Sequence, residues 1–255
     1  MFKAFRILIL LVILAAVGLG TMRAKSRSVE WKYALPVNIY LINADQSDTT
    51  AEYIRGLTLA NFQPIEKFMR EEAVRYDRGD RASIELRMGP TLTVQPPAPP
   101  KYGNSLEIMW WSLKMRWWSY RYADTRGSGP QVKLALLYYD PAKTPHLEHS
   151  TGLQKGLIGR VNVFASREMA AQNNVVITHE FMHTLGATDK YDLSTNLPAF
   201  PEGYAQPEQT PLYPQQFAEI MAGRIPLSET AAEIPGSLYN TLIGDKTAQE
   251  INWVQ

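Results

Sequence analysis

The segment HEFMHTLGATDKYD, His179 to Asp192, constrains this chain more than any other stretch of it. Two histidines four apart on a helix lie one turn apart along the axis and about 40° apart around it, so both imidazoles can reach one point. Val175, Val176, Phe181, Met182 and Leu185 surround them with apolar positions that bury such a helix in a core. Gly186 stands where this helix should stop, and glycine adopts the left-handed turn of a helix end without steric cost. Beyond that turn the chain can double back and bring Asp189 towards the same point. The fold must therefore contain a buried helix with a sharp C-terminal reversal.

Two ring nitrogens and one carboxylate oxygen match a zinc site that keeps its fourth tetrahedral position open, which is the catalytic kind of zinc site. His179, His183 and Asp189 are the candidate metal ligands, and Zn2+ is the expected cofactor. Glu180 is about 100° round the helix from His179, beside the ligands and not among them. There it is placed to hold and deprotonate a water, the role this glutamate has in HExxH hydrolases. The HExxH pattern alone should arise by accident in roughly a few chains per thousand of this length, and with Gly186 and Asp189 at their offsets in about one per 100,000. The other two histidines, His146 and His149, lie in a Pro-flanked stretch and read as surface or rim residues. A gluzincin-type alternative takes Glu202 or Glu219 as third ligand, but leaves Gly186 and Asp189 without a role.

The pattern HExxHxxGxxD, with Tyr191 two beyond the aspartate, resembles the aspartate-ligand branch of the metzincins, including snapalysin-like and immune-inhibitor-A-like proteases. The resemblance implies hydrolysis of peptide bonds in a protein or peptide substrate, with Glu180 as general base. It also implies a Met-turn beneath the metal, and Met221 in AEIMAGR, 32 residues after Asp189, fits it. Taken alone, Met221 reads as an ordinary core methionine. The implied fold is a mixed α/β (α+β) metzincin-like domain: a twisted, mostly parallel sheet with packed helices, an active-site helix and a small irregular C-terminal subdomain. Substrate is expected to lie extended beside an edge strand within Leu147–Val163. By motif the resemblance covers roughly residues 155–255. Two departures stand out. The clan's commoner third ligand is histidine, and the position where some members carry a transition-state tyrosine is Gly223. Tyr191, Tyr204 and Tyr213 are the alternatives for that role.

Along the chain, residues 1–22 read as a signal peptide or N-terminal membrane anchor, with the apolar run Ile7–Gly20 between Lys3, Arg6 and the basic Arg23, Lys25 and Arg27. An exported location, periplasmic or extracellular, follows, with membrane attachment if the segment is retained. Residues 23–30 form a tether, 31–186 an N-terminal catalytic subdomain, and 187–255 a C-terminal subdomain with the Met-turn and a final helix in GDKTAQEINWV. Twenty-six basic against 25 acidic residues argue against a nucleic-acid partner. The chain has no cysteine, which excludes disulfides and thiolate ligands. Strands are expected at Leu35–Ile42, Ala82–Gln95, Val132–Tyr139 and Leu157–Ala165, and helices over Thr49–Tyr76, broken near Pro64, and Ser166–Gly186. Five prolines between Pro198 and Pro214 mark a long loop, either a substrate-site wall or a solvent-side excursion.

The segment Asn104–Tyr122 carries two apolar stripes at helical spacing. Leu106, Met109, Trp110, Leu113, Trp117 and Tyr120 form one; Ile108, Trp111, Met115, Trp118 and Tyr122 form the other, nearly opposite. Burial of both, one against the sheet and one under a loop, is the simpler expectation. The alternative is that one stripe meets a membrane surface or a partner.

Overall fold

The computed structural model describes residues 28–100, 103–123 and 131–254. The apolar run Ile7–Gly20 and most of the expected tether lie outside the described residues.

A five-stranded sheet organises the chain, in the order β2-β1-β3-β5-β4. Its strands are β1 (Leu35–Asn43), β2 (Ile84–Met88), β3 (Val132–Tyr139), β4 (Thr151–Leu153) and β5 (Ile158–Phe164). The first four in spatial order are parallel, with Val37 opposite Val132 and Leu136 opposite Val161. The short β4 runs antiparallel to β5 and forms one edge. Parallel strands need both faces covered, which is why β1 and β3 are apolar along nearly their whole length rather than alternating. Val37, Ile39 and Leu41 enter one buried cluster, and Tyr40 and Ile42 enter another on the opposite face.

Helices α1 (Asp48–Arg55), α2 (Gln63–Arg75) and α4 (Ala170–Leu185) contribute to the larger cluster, where Ile65, Phe68 and Met69 of α2 meet Val175, Phe181 and Met182 of α4. Ser47 caps α1 by accepting from the Thr50 N–H at 3.1 Å. The expected break near Pro64 takes a specific form. A 3-10 turn, Leu59–Phe62, separates α1 from α2, and Pro64 sits in the first turn of α2, where its missing N–H has no intrahelical partner to lose. The strand expected over Ala82–Gln95 is shorter, because Gly89 and Pro90 end it; Leu92 regains contact with Ile42 only as an isolated bridge.

Helix α3 (Ser105–Tyr122) covers the other face of the sheet, and here the expectation of two buried stripes is overturned. Trp111, Met115 and Trp118 are buried, with Trp111 and Met115 against Ile158 and Trp118 against Tyr40, Ile42 and Leu137. The indole N–H groups of Trp111 and Trp118 donate to the Pro97 and Val94 carbonyls at 2.9 and 3.0 Å. Every member of the Leu106–Tyr120 stripe is exposed. A single helix laid on one sheet has only one inward side, and among the described residues no loop covers the other.

After α4 the chain is irregular. It forms two-residue strands β6 (Ala218–Glu219), β7 (Ile225–Pro226), β8 (Ala232–Glu233) and β9 (Thr241–Leu242), then a six-residue helix α5 (Asp245–Glu250). Trp253 beyond α5 is fully buried against Trp31 and Tyr76, which closes this part onto α2 and the start of β1.

Candidate metal centre

Helix α4 is held to the sheet at its start and reversed at its end. The Asn173 side chain accepts from the Phe164 N–H at 3.1 Å and donates to the Phe164 carbonyl at 2.8 Å, clamping the first turn onto the end of β5. At the other end Gly186 has φ +110°. Its N–H reaches the Met182 and His183 carbonyls, and the Ala187 N–H reaches Met182 at 3.2 Å, satisfying the last carbonyls of the helix. The Gln154 side chain lies against Gly186 where a side-chain carbon would be, and its amide donates to the Leu185 carbonyl. Gly152 of β4 approaches α4 just as closely: a side-chain carbon there would fall on the Glu180 carbonyl and the His183 Cβ.

This reversal brings Asp189 to the two histidines. Asp189 Oδ1 lies 3.2 Å from His179 Nε2 and 3.1 Å from His183 Nε2. The other ring nitrogens face backbone carbonyls: His179 Nδ1 is 2.9 Å from the Ile220 oxygen and His183 Nδ1 is 2.8 Å from the Ala187 oxygen. A carbonyl only accepts, so each Nδ1 carries hydrogen, and in the neutral ring each Nε2 is left with a lone pair. Two lone pairs and a carboxylate oxygen then converge, an arrangement that requires protons or a cation between them. With zinc–ligand bonds of about 2.0–2.1 Å, neighbouring ligand atoms of a tetrahedron lie about 3.3 Å apart, so the observed spacing fits a shared metal ion.

His179, Glu180 and His183 also place ligand atoms within 4.8 Å of one another. Glu180 is thus a rival third ligand, but the tighter distances belong to Asp189, which touches both rings. Glu180 is buried, with 6% of its surface exposed, and its Oε2 has no hydrogen-bond partner among the described residues. A buried, unpartnered carboxylate oxygen beside the candidate ligands is one that still has a proton or water to bind.

The electrostatics follow from this crowding. Burial lowers the His179 pKa, but the hydrogen bond to Asp189, the Glu180 charge and the Ile220 carbonyl outweigh it and raise it to about 9. Burial acts upward on Asp189, yet the two imidazoles hold its carboxyl well below the usual range. Glu180 is shifted up by burial, against the opposing pull of His179 and His183.

Met221 is fully buried in a tight turn that touches the site at two points. The preceding carbonyl, Ile220, orients His179, and the Met221 carbonyl accepts from the Lys190 N–H at 3.0 Å, one residue past Asp189. Glu219 builds that turn. Its carboxylate accepts from the Met221, Ala222 and Gly244 N–H groups and from the Thr247 hydroxyl, at 2.6, 3.0, 3.0 and 2.7 Å. Those four bonds occupy Glu219 as scaffold, away from the histidines. Glu202 is exposed in the proline-rich segment, and His146 and His149 are exposed as well.

The loop that carries Asp189 has a second brace. Lys190 is buried, and its ammonium contacts the Thr188 carbonyl and hydroxyl and Glu250 Oε2, each at 2.8 Å, while Glu250 also accepts from the Thr188 N–H and hydroxyl. Nothing in the sequence pattern marks Lys190, Glu219 or Glu250 for these roles, since each has a partner far along the chain: Lys190 and Glu250 are 60 residues apart, and Glu219 reaches Gly244 and Thr247. Of the candidate tyrosines, Tyr191 is half-buried, and its pKa is raised by burial and by the charges of Asp189 and Glu180, which places it in their field. Tyr204 and Tyr213 bond to each other through their hydroxyls at 2.7 Å. The proline-rich segment folds back on the loop that carries Asp189, with Ala199 N–H donating to the Lys190 carbonyl and Pro198 bridging Tyr191.

No family model matches the chain, and no curated protein matches it either.

Proposed function

We propose that the chain is a zinc-dependent endopeptidase, built as an aspartate-ligand variant of the metzincin arrangement. The observation that carries this reading is that His179 Nε2 and His183 Nε2 both lie within 3.2 Å of Asp189 Oδ1, with each imidazole's other nitrogen on a backbone carbonyl. Second-sphere carbonyls of this kind fix the tautomer of metal-ligating histidines. The glycine reversal and the buried methionine turn at Met221 support the same reading.

In this reading His179, His183 and Asp189 hold the ion. When bound, zinc supplies a Lewis acid that polarises the scissile carbonyl and makes a water acidic near neutral pH. Glu180 takes the proton from the attacking water through its unpartnered oxygen. It returns that proton to the amide nitrogen as the carbon–nitrogen bond breaks, leaving a carboxylic acid and an amine. Its raised pKa suits a group that must both accept and release a proton. Substrate lies extended along β4, the sheet edge that Gly152 brings against Glu180 and His183. In this reading Tyr191, half-buried in the field of Asp189 and Glu180, donates a hydrogen bond to the developing oxyanion.

Metal analysis of the purified chain, with cleavage of an unbiased peptide library, tests this. Stoichiometric zinc and cleavage are expected, with Glu180→Ala retaining zinc and losing activity by about 10²–10⁴-fold. Zinc without cleavage leaves a zinc-binding module on the same scaffold, and absence of zinc sinks the reading. Asp189→Ala should lose the metal; retention would transfer the third-ligand role to another carboxylate.

A further inference from the structure

Helix α3 has two apolar faces, and the fold uses one. The unused stripe is continuous along the 18-residue helix: Leu106, Met109, Trp110, Leu113, Trp117 and Tyr120 are 45–88% exposed. Soluble surfaces rarely leave so many large apolar side chains together without an occupant. Lys114 and Arg121 line one edge of the stripe and Arg116 the other, against a single carboxylate, Glu107, spent on capping the helix N-terminus. Neither Trp110 nor Trp117 has an acceptor for its indole N–H among the described residues.

Three occupants compete: a second copy, another protein, or a lipid surface. A second copy laid stripe to stripe about a two-fold axis would bring these cationic edges against each other. Tryptophan, tyrosine and flanking Lys/Arg are the composition of a helix lying in a headgroup layer, with ring bodies in the apolar zone and polar tips outside. Among the described residues no helix is long and apolar enough to cross a membrane, so α3 is suited to lie on a bilayer and not to span one. The sequence ahead of residue 28 carries its own apolar run with basic flanks. The described chain ahead of β1 packs on the opposite face of the sheet, with Trp31 against Trp253 and the Val29 carbonyl accepting from Asn252, so the open stripe belongs to α3 alone.

We propose that α3 docks in the headgroup layer of an anionic bilayer, with the Leu106–Tyr120 stripe facing the acyl chains. α3 also packs beside the cleft edge: Arg116 donates to the Lys155 carbonyl at 3.0 Å, and Trp111 and Met115 meet Ile158 and Leu153. Docking therefore holds β4 and the metal centre close to the membrane surface. The inference stands on α3 alone and does not depend on hydrolysis.

The full chain, reconstituted in vesicles of phosphatidylglycerol and phosphatidylcholine with brominated acyl chains, tests it through tryptophan quenching. Quenching reads the position of α3 whether or not the N-terminal segment also inserts. Strong quenching is expected, removed in Trp110→Phe/Trp117→Phe and reduced several-fold in Lys114→Glu/Arg121→Glu. These side chains are exposed, so the variants should keep native circular dichroism. Vesicle-associated protein whose quenching is unchanged in either variant overturns the proposal. So does protection of both tryptophans from acrylamide in lipid-free protein, which with a dimer in sedimentation assigns the stripe to a second copy.

Discussion

Asp189 and Glu180 are both carboxylates beside His179, and their surroundings give them different tasks. Asp189 faces two imidazoles and is held ionised, whereas Glu180 is buried with one oxygen unpartnered and its proton affinity raised. What separates them is the reversal at Gly186, which decides where Asp189 arrives. At φ +110° a side chain would strain the backbone and displace Gln154. Gly186→Ala is therefore expected to cost about 1–3 kcal/mol in urea unfolding and to weaken zinc binding as well. A variant with unchanged zinc affinity would show that the cap does not position the ligand.

Among the elements, the loop after α4 is held directly by one distant carboxylate, Glu250, and through the Met221 carbonyl by a turn that a second, Glu219, builds. Glu219 gathers the methionine turn, and Glu250 of α5 ties down Thr188 and Lys190 on either side of Asp189. Burial pushes the Glu250 pKa up, but Lys190 and the Thr188 groups outweigh it, leaving it below its ordinary 4.5. A carboxyl lowered on folding stabilises the native state above its unfolded pKa, and that contribution fades as pH falls through the folded value. Glu250→Gln should thus be less stable than the parent at pH 7, with the gap closing below about pH 4. Chemical unfolding of both proteins across that range checks it; a gap that widens in acid would refute the assignment.

At the scale of the molecule, an ion at the centre would tie α4 to the loop beyond it and so bind only the native state. Free zinc about a thousandfold above its Kd adds about 4 kcal/mol of stability, equivalent to a Tm rise of roughly 8–16 °C for a chain this size. Calorimetry with zinc and with a chelator measures it, and Asp189→Ala should abolish the shift. An equal shift from calcium would point away from a nitrogen-rich site.

Much of this was legible in order along the chain. β1 and β3 appear nearly residue for residue, because a strand buried on both faces is an unbroken apolar run. The helix carrying His179 and His183 is also plain, as four-residue spacing is a local property and Gly186 marks its end. Other features depend on partners far away in sequence. Glu219 and Glu250 look like any surface glutamate until folding surrounds them with Gly244 and Thr247, or with Lys190. The strand expected through Gln95 stops at Met88 because Gly89 and Pro90 interrupt it. For α3, periodicity revealed both apolar stripes but could not tell which one the sheet would cover. The sequence by itself determined the candidate ligand types, their spacing and the helix that presents the histidines, since those rest on local backbone geometry. Only the tertiary structure decided that Asp189 reaches both imidazoles, that the Ile220 and Ala187 carbonyls turn them, and that the Leu106–Tyr120 face stays open. Each depends on which distant segment arrives alongside, and that is settled by packing the whole chain.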